Sequence, residues 1–213
     1  MNFLPSLNVL LAFTAAGLLL AATPGPDMAL FLSKTLGGGR PHGFAALAGA
    51  MTGLLVHTAA AALGLSALLA ASANAYTAVK VAGALYLLWL AYGALRHGAA
   101  LRFEGQRGAA GSLGKSFMAG LVINLTNPKI ILFFVTFLPQ FIDVGDPNAS
   151  GRFLFLGLLF IIIGSLFCSC VILVASRFVA VAKSNPRAIR WFDFGFAGLM
   201  GAFAARLIWS QAK

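Results

Sequence analysis

The sequence predicts an all-α integral membrane protein. Six transmembrane helices form two inverted three-helix repeats, and helices one and four are broken near the midplane. Three observations predict this. The 213 residues are 60% hydrophobic and only 9% charged, with a mean hydropathy of +0.92, whereas a soluble domain carries about 25% charged residues. Six apolar segments each approach or exceed the ~20 residues that cross a bilayer. Two of them, three apart in order, hold proline and charged residues inside an otherwise apolar run.

The first segment runs from about Leu7 to Leu36, the second from Gly43 to Leu69 and the third from Tyr76 to Leu95. The fourth runs from about Ser116 to Phe141, the fifth from Phe153 to Phe178 and the sixth from Trp191 to Trp209. The apolar start has no Lys or Arg before it, unlike a secretory signal, and reads as a retained first helix. Gly37-Gly38-Gly39-Arg40-Pro41, Asp143 to Asn148, and Lys183 to Arg187 are turn-rich connections. The whole chain, 1–213, reads as one membrane domain. Repeat one covers about 1–100, a basic glycine-rich loop about 96–115, and repeat two about 116–213.

The net charge of +10 would suggest nucleic acid in a soluble protein. Here the basic residues lie between apolar runs, so they report topology and no nucleic-acid partner is expected. Lys34, Arg40, Arg96, Arg102, Arg107, Lys115, Arg177, Lys183, Arg187 and Arg190 follow segments one, three and five. Lys80, Arg152, Arg206 and Lys213 fall on the other side. The positive-inside rule then puts the odd loops in the cytoplasm and both termini outside. Five spans, with one segment on the surface or re-entrant, is the alternative. Tyr76, Trp191 and Trp209 sit near span ends, where aromatic belts form.

The first break is Thr23-Pro24-Gly25-Pro26-Asp27. Proline removes a backbone donor, and a carboxylate at membrane depth is a functional hypothesis by default. The second is Asn124-Leu125-Thr126-Asn127-Pro128-Lys129. Thr23-Pro24 aligns with Asn127-Pro128, a capping residue before a proline suited to a first helical position. A new half-helix should therefore start at each. Pro24 lies ten residues before Lys34 and Asn127 twelve after Lys115, so both breaks lie roughly 15–18 Å from the cytoplasmic surface. Three helices per half is odd, so the second half must be inverted. Inverted repeats with helices broken at the midplane mark the substrate site of many secondary transporters.

Asp27 and Lys129 have opposite sign and lie just beyond the breaks. They can pair with each other, or bind opposite ends of a zwitterion with help from the half-helix N-termini. Asn124 is placed to line the same site. His57, in the second segment, is a candidate proton relay by its titration range, or a packing residue. Small residues recur at helical spacing at Gly43, Ala46, Gly49, Ala50 and Gly53, and again at Gly195, Gly198, Gly201 and Ala202. Such faces let helix backbones approach closely. Cys168 and Cys170 read as small packing residues, and the Asn148-Ala149-Ser150 sequon carries no weight alone.

Pro24-Gly25-Pro26-Asp27 together with Asn124 through Lys129 resembles the amino-acid exporters of the lysine exporter and homoserine/threonine resistance type. The resemblance extends over the chain in length, broken first helix, polar third loop and six apolar segments. It implies bacterial inner-membrane efflux of amino acids or their derivatives, driven by the proton gradient and without ATP-binding machinery. Thr23, Pro24, Gly25, Pro26, Asp27, Asn124, Asn127, Pro128 and Lys129 are the expected substrate or coupling residues.

An alternative is a metal-ion or other small-ion exporter or channel on the same scaffold. Metal transport wants several carboxylates, His or Cys converging in the membrane, and the spacing of Asp27, His57 and the cysteines forms no such set. Hydrolase elbows, zinc-protease motifs and phosphate-binding glycine loops are absent from the sequence. No enzyme activity, catalytic residue, metal or cofactor is expected. With few intramembrane acids, a neutral amino acid is favoured over a dicationic one. The sequence leaves open whether the protein works as a monomer or a homo-oligomer.

Overall fold

The computed structural model describes residues 4–67, 73–97, 111–143 and 146–209. The centre of the third loop with Arg102 and Arg107, the last two residues of the second expected segment, and Lys213 lie outside the described residues. The described residues are helices and their connections, without strands.

The first expected span is two helices, α1 (Leu7–Ala22) and α2 (Pro26–Gly38), bent by 53° at the break. The bend has a direct cause. Pro24 and Pro26 lack the N–H groups that would bond the carbonyls of Leu20 and Ala22, so the ladder stops. The fourth span divides likewise into α5 (Leu113–Thr126) and α6 (Pro128–Leu132). α6 continues through a π-helical turn and a short tight helix to Phe141, and the pair bends by 49°. Pro128 has no N–H to give the Asn124 carbonyl, which accepts from the Asn127 N–H instead.

α3 (Arg40–Ala60) runs on through a π-helical turn to Leu65. α4 is Ala73–His97, α7 Ala149–Leu173, α8 Ala175–Ser184 and α9 Pro186–Trp209. The fifth expected span, Phe153 to Phe178, thus starts and ends earlier, and it ends because Val174 leaves the helix at φ −110°, ψ 22°. The Arg40 guanidinium donates to the Leu173 carbonyl at 2.9 Å and so caps one of the end carbonyls that a helix leaves unpaired. Among the described residues, Arg40–Leu65 and α7 are long and apolar enough to cross a membrane, and each bent pair adds one more if it is a single span.

Glycines on α3 and α5 set the central packing. A side chain at Gly49 would meet the Phe117 carbonyl oxygen at 1.9 Å, and one at Gly120 would meet the Ala46 carbonyl oxygen at 1.9 Å. Each helix therefore lays its backbone into the other, the small-residue contact of membrane helices. Gly157 on α7 does the same for Thr58, whose side chain an added Cβ would meet at 2.5 Å. The small-residue face of the last segment differs: Gly195, Gly198 and Gly201 have no neighbouring atom within 4 Å of an added Cβ.

Two apolar clusters flank the breaks. Phe13 of α1 packs against Phe133 and Phe141, and Phe133 packs against Phe137 and Phe160. The four-residue spacing of 133, 137 and 141 puts these rings on one face. Beyond the breaks in the other direction, Phe31 of α2 packs with Ala46, Leu47, Ala50, Cys168 and Ile172. Phe31, Ala50 and Cys168 of the second group, and Phe160 of the first, line the space between the breaks.

Candidate functional site

The structure places the two breaks face to face. The Asn127 side-chain amide donates to Asp27 Oδ2 at 2.7 Å, and the Asn124 amide reaches the same oxygen at 3.4 Å. Lys129 Nζ donates to the Thr23 carbonyl oxygen at 2.8 Å. That carbonyl is available because α1 ends at Ala22 and the chain beyond it is extended, with Thr23 at φ −68°, ψ 119°. This is the conformation that a following proline favours.

Asp27 and Lys129 do not pair. Among the described residues the one ion pair is Arg152 with Asp146, 2.6 Å apart and away from the breaks. The two opposite charges are instead anchored on neutral groups. Two acceptors are left over, since Asp27 Oδ1 and Asn124 Oδ1 are both buried without a hydrogen-bond partner. An unmet buried acceptor costs about 1–3 kcal/mol.

A cavity of about 50 Å³ lies between the breaks. Thr23, Gly25, Asp27, Asn124, Asn127 and Lys129 form its polar side. Met51 and Leu54 of α3 and Phe160, Gly164 and Cys168 of α7 form much of the apolar side, with Leu20 of α1, Met28 and Phe31 of α2 and Ile130 of α6. A water centre needs roughly 10–15 Å³, so the space suits a few waters and is less than a branched amino acid fills. Pro24, Pro26 and Pro128 do not line it; they act on the backbone that does.

The half-helices begin differently from one another. At the second break Asn127 caps α6 as expected, its side chain accepting from the Lys129 N–H at 3.0 Å, with Pro128 first in the helix. At the first break the start is two residues later than the Thr23-Pro24 alignment implies. Gly25 is the cap and Pro26 the first helical residue. The Thr23 hydroxyl bonds back to the Leu19 carbonyl at 2.7 Å and so closes α1. Its choice between two helices is local, and the second proline makes Pro26 an equally good start. Gly25 offers no side-chain cap, whereas the first N–H of α6 is already taken. The two N-termini therefore do not contribute equally to the cavity.

His57 is not part of the cavity lining. Its Nε2 lies 3.4 Å from the Asn124 carbonyl, and its ring stacks on Phe134 with centroids 5.5 Å apart. A carbonyl only accepts, so the bond places the proton on Nε2. Pro128 removed this carbonyl's i+4 donor, and the Asn127 N–H reaches it at 3.2 Å. Gly53, one turn earlier on α3, makes room for the same residue: an added Cβ would meet Asn124 Oδ1 at 2.6 Å. Sequence reasoning passed over Gly53 as site support and missed the apolar wall from α7. Nothing in an apolar run marks which face turns to a cavity.

The LysE type translocator family model matches residues 18–211. The chain belongs to the LysE type translocator family. It is 31% identical over 196 residues to a leucine efflux protein of Enterobacter sp. (strain 638), covering 92% of each chain. It is 32% identical over 198 residues to a threonine efflux protein of Escherichia coli K12, covering 89% of this chain and 92% of the relative. A homoserine/homoserine lactone efflux protein of Salmonella typhi is 29% identical over 196 residues, covering 92% of this chain and 94% of the relative. No solved structure matches the chain. Members of the LysE type translocator family are membrane transporters, not enzymes. The resemblance read from the two proline motifs is therefore correct at the level of family.

Proposed function

We propose that this LysE type translocator exports neutral amino acids across the bacterial inner membrane in exchange for protons, holding the zwitterion between the two broken helices. One observation carries the reading. A carboxylate and an ammonium line the same cavity without touching, and beside them two buried acceptors lack donors. The substrate's α-ammonium supplies donors for Asp27 Oδ1 and Asn124 Oδ1. Its carboxylate takes the end marked by Lys129. The efflux proteins named for leucine, threonine and homoserine among the relatives support this cargo class.

Asp27 is the coupling group in this reading. It is the acidic residue of the cavity, and it alternates between a proton and the substrate ammonium. The family relationship supports transport without ATP. His57 holds the Asn124 carbonyl, and that bond supports a positioning role over the relay role its residue type suggests.

The arrangement as six spans in two inverted repeats belongs to the same proposal. The contacts between helices support it. α1 packs on α7 as α5 packs on α3, while the pairs α3–α7 and α4–α9 map onto themselves under a two-fold exchange of the halves. The basic first, third and fifth loops support cytoplasmic placement and external termini.

The test is transport of labelled leucine, threonine and alanine by reconstituted protein under an imposed pH gradient, with Asp27→Asn and Lys129→Met in parallel. Gradient-driven movement that both variants lose is the expected result. If no amino acid moves, or if both variants in folded form keep full transport, the reading is wrong.

A further inference from the structure

We infer that Gly164 sets the size of side chain this transporter accepts. This rests on the amino-acid reading of the cavity and names the residue that selects within it.

The argument starts from what buried glycines do elsewhere in the chain. Gly17, Gly43, Gly49, Gly53, Gly120 and Gly157 are all buried. A Cβ at any of them would meet a neighbouring atom at 3.4 Å or closer. Their lack of a side chain is accounted for by packing. Gly164 is equally buried and lies in the middle of α7. Yet a Cβ there meets nothing within 4 Å. A glycine mid-helix costs up to about 1 kcal/mol against alanine, and here no neighbour requires it. What it faces is the cavity, which it lines.

The cavity has two chemically distinct sides. The polar groups come from the breaks: Thr23, Asp27, Asn124, Asn127 and Lys129. The apolar lining comes from α3 and α7, and also from Leu20 of α1, Met28 and Phe31 of α2 and Ile130 of α6. Phe160, Gly164 and Cys168 are four residues apart and share one face of α7. A zwitterion anchored at the breaks directs its side chain into this apolar lining, and the Phe160–Gly164–Cys168 face of α7 is the wall of it that holds a gap. In that wall Phe160 and Cys168 carry side chains and Gly164 carries none. The recess at Gly164 is therefore where a substrate side chain extends. The wall offers no charged group, so the side chain it takes is uncharged.

The experiment compares wild type, Gly164→Ala and Gly164→Val in proteoliposomes, each given labelled alanine, threonine or leucine under the same pH gradient. One methylene in an apolar pocket changes discrimination by about 10–200-fold. The ratio of leucine to alanine transport is expected to fall about tenfold with Ala and further with Val, while alanine transport stays near wild type. Phe160→Leu, one turn away, enlarges the same wall and should move the ratio the other way. Leu158→Val, at an exposed position of α7 outside the cavity lining, should leave it unchanged. Equal loss of all three substrates in Gly164→Ala, or no change in the ratio with either Gly164 variant, overturns the assignment. So does a Leu158→Val shift as large as that of Gly164→Ala. A wild type that moves none of the three overturns the amino-acid reading itself, and this inference with it.

Discussion

The Asn127 side chain donates to the Asp27 carboxylate, 100 residues away in sequence, at 2.7 Å and thereby joins the starts of two helices. One residue does two jobs. Its amide nitrogen holds Asp27 while its oxygen caps α6 at the Lys129 N–H. The charge at the first break is thus oriented by the residue that begins the half-helix at the second.

Asp27→Asn keeps the volume and removes the charge. A charge-assisted hydrogen bond is worth about 1.5–3 kcal/mol, but removing the buried charge also removes its desolvation penalty. The thermal midpoint in detergent is expected to move by only a few degrees, while transport falls to background. Equal loss of fold and of function would mean that Asp27 serves mainly to join the breaks.

Lys129 gives a second separation. Lys129→Gln keeps a donor for the Thr23 carbonyl but carries no charge, and Lys129→Met keeps neither. Both are expected to lose substrate binding by at least about tenfold, because both lose the charge proposed to hold the substrate carboxylate. Only Lys129→Met should also lower the melting temperature, since it leaves the Thr23 carbonyl without its 2.8 Å donor. Binding is read by substrate-induced thermal shift of the purified protein.

Gly53→Ala and Gly49→Ala test the seam between α3 and α5. At Gly53 the added Cβ meets the movable end of Asn124 at 2.6 Å; at Gly49 it meets the Phe117 backbone oxygen at 1.9 Å. Overpacking of a close contact costs about 1–3 kcal/mol. Gly53→Ala should keep the fold and weaken transport by displacing Asn124. Gly49→Ala should be the less stable of the two, because a helix backbone cannot turn aside as a side chain can. Thermal unfolding of both, set beside transport, checks the order.

His57→Gln retains a donor for the Asn124 carbonyl, and His57→Phe does not. Under a positioning role the glutamine variant keeps most transport and the wild-type dependence on pH, while the phenylalanine variant loses most of its transport. A proton relay would make the two variants equally poor and would change the pH profile in both.

Cys168 lines the cavity and Cys170 is exposed on another face of α7. In a Cys170→Ser background, a small maleimide is expected to label Cys168 slowly. A transported amino acid should slow it further, by several-fold at saturation. Labelling rates indifferent to every substrate would place the substrate elsewhere.

Much of this architecture was legible before any coordinates. Two prolines in an apolar run announce a break wherever they fall, because the missing N–H is a property of the residue itself. The exact start of α2 was not legible. Thr23 and Gly25 both precede a proline, and only the hydroxyl bond from Thr23 to Leu19 decided between them. His57 was visible as an unusual residue in a membrane helix. Its partner was not, since the Asn124 carbonyl lies 67 residues away.

The sequence by itself determined a helical membrane protein with two proline breaks, and its motifs pointed to the LysE type family. These rest on composition, on local backbone chemistry and on short motifs that travel with the chain. The tertiary structure decided that Asp27 meets Asn127 and Asn124 while Lys129 reaches Thr23, and that the two charges share a cavity without pairing. It also decided that one buried glycine, Gly164, faces open space within the cavity lining. Contacts between distant helices depend on which faces are turned together, and an apolar segment hydrophobic all round does not reveal that. The Pro24-Gly25-Pro26 and Asn127-Pro128 breaks expose the polar groups; only the packing of α3, α5 and α7 around them makes those groups converge.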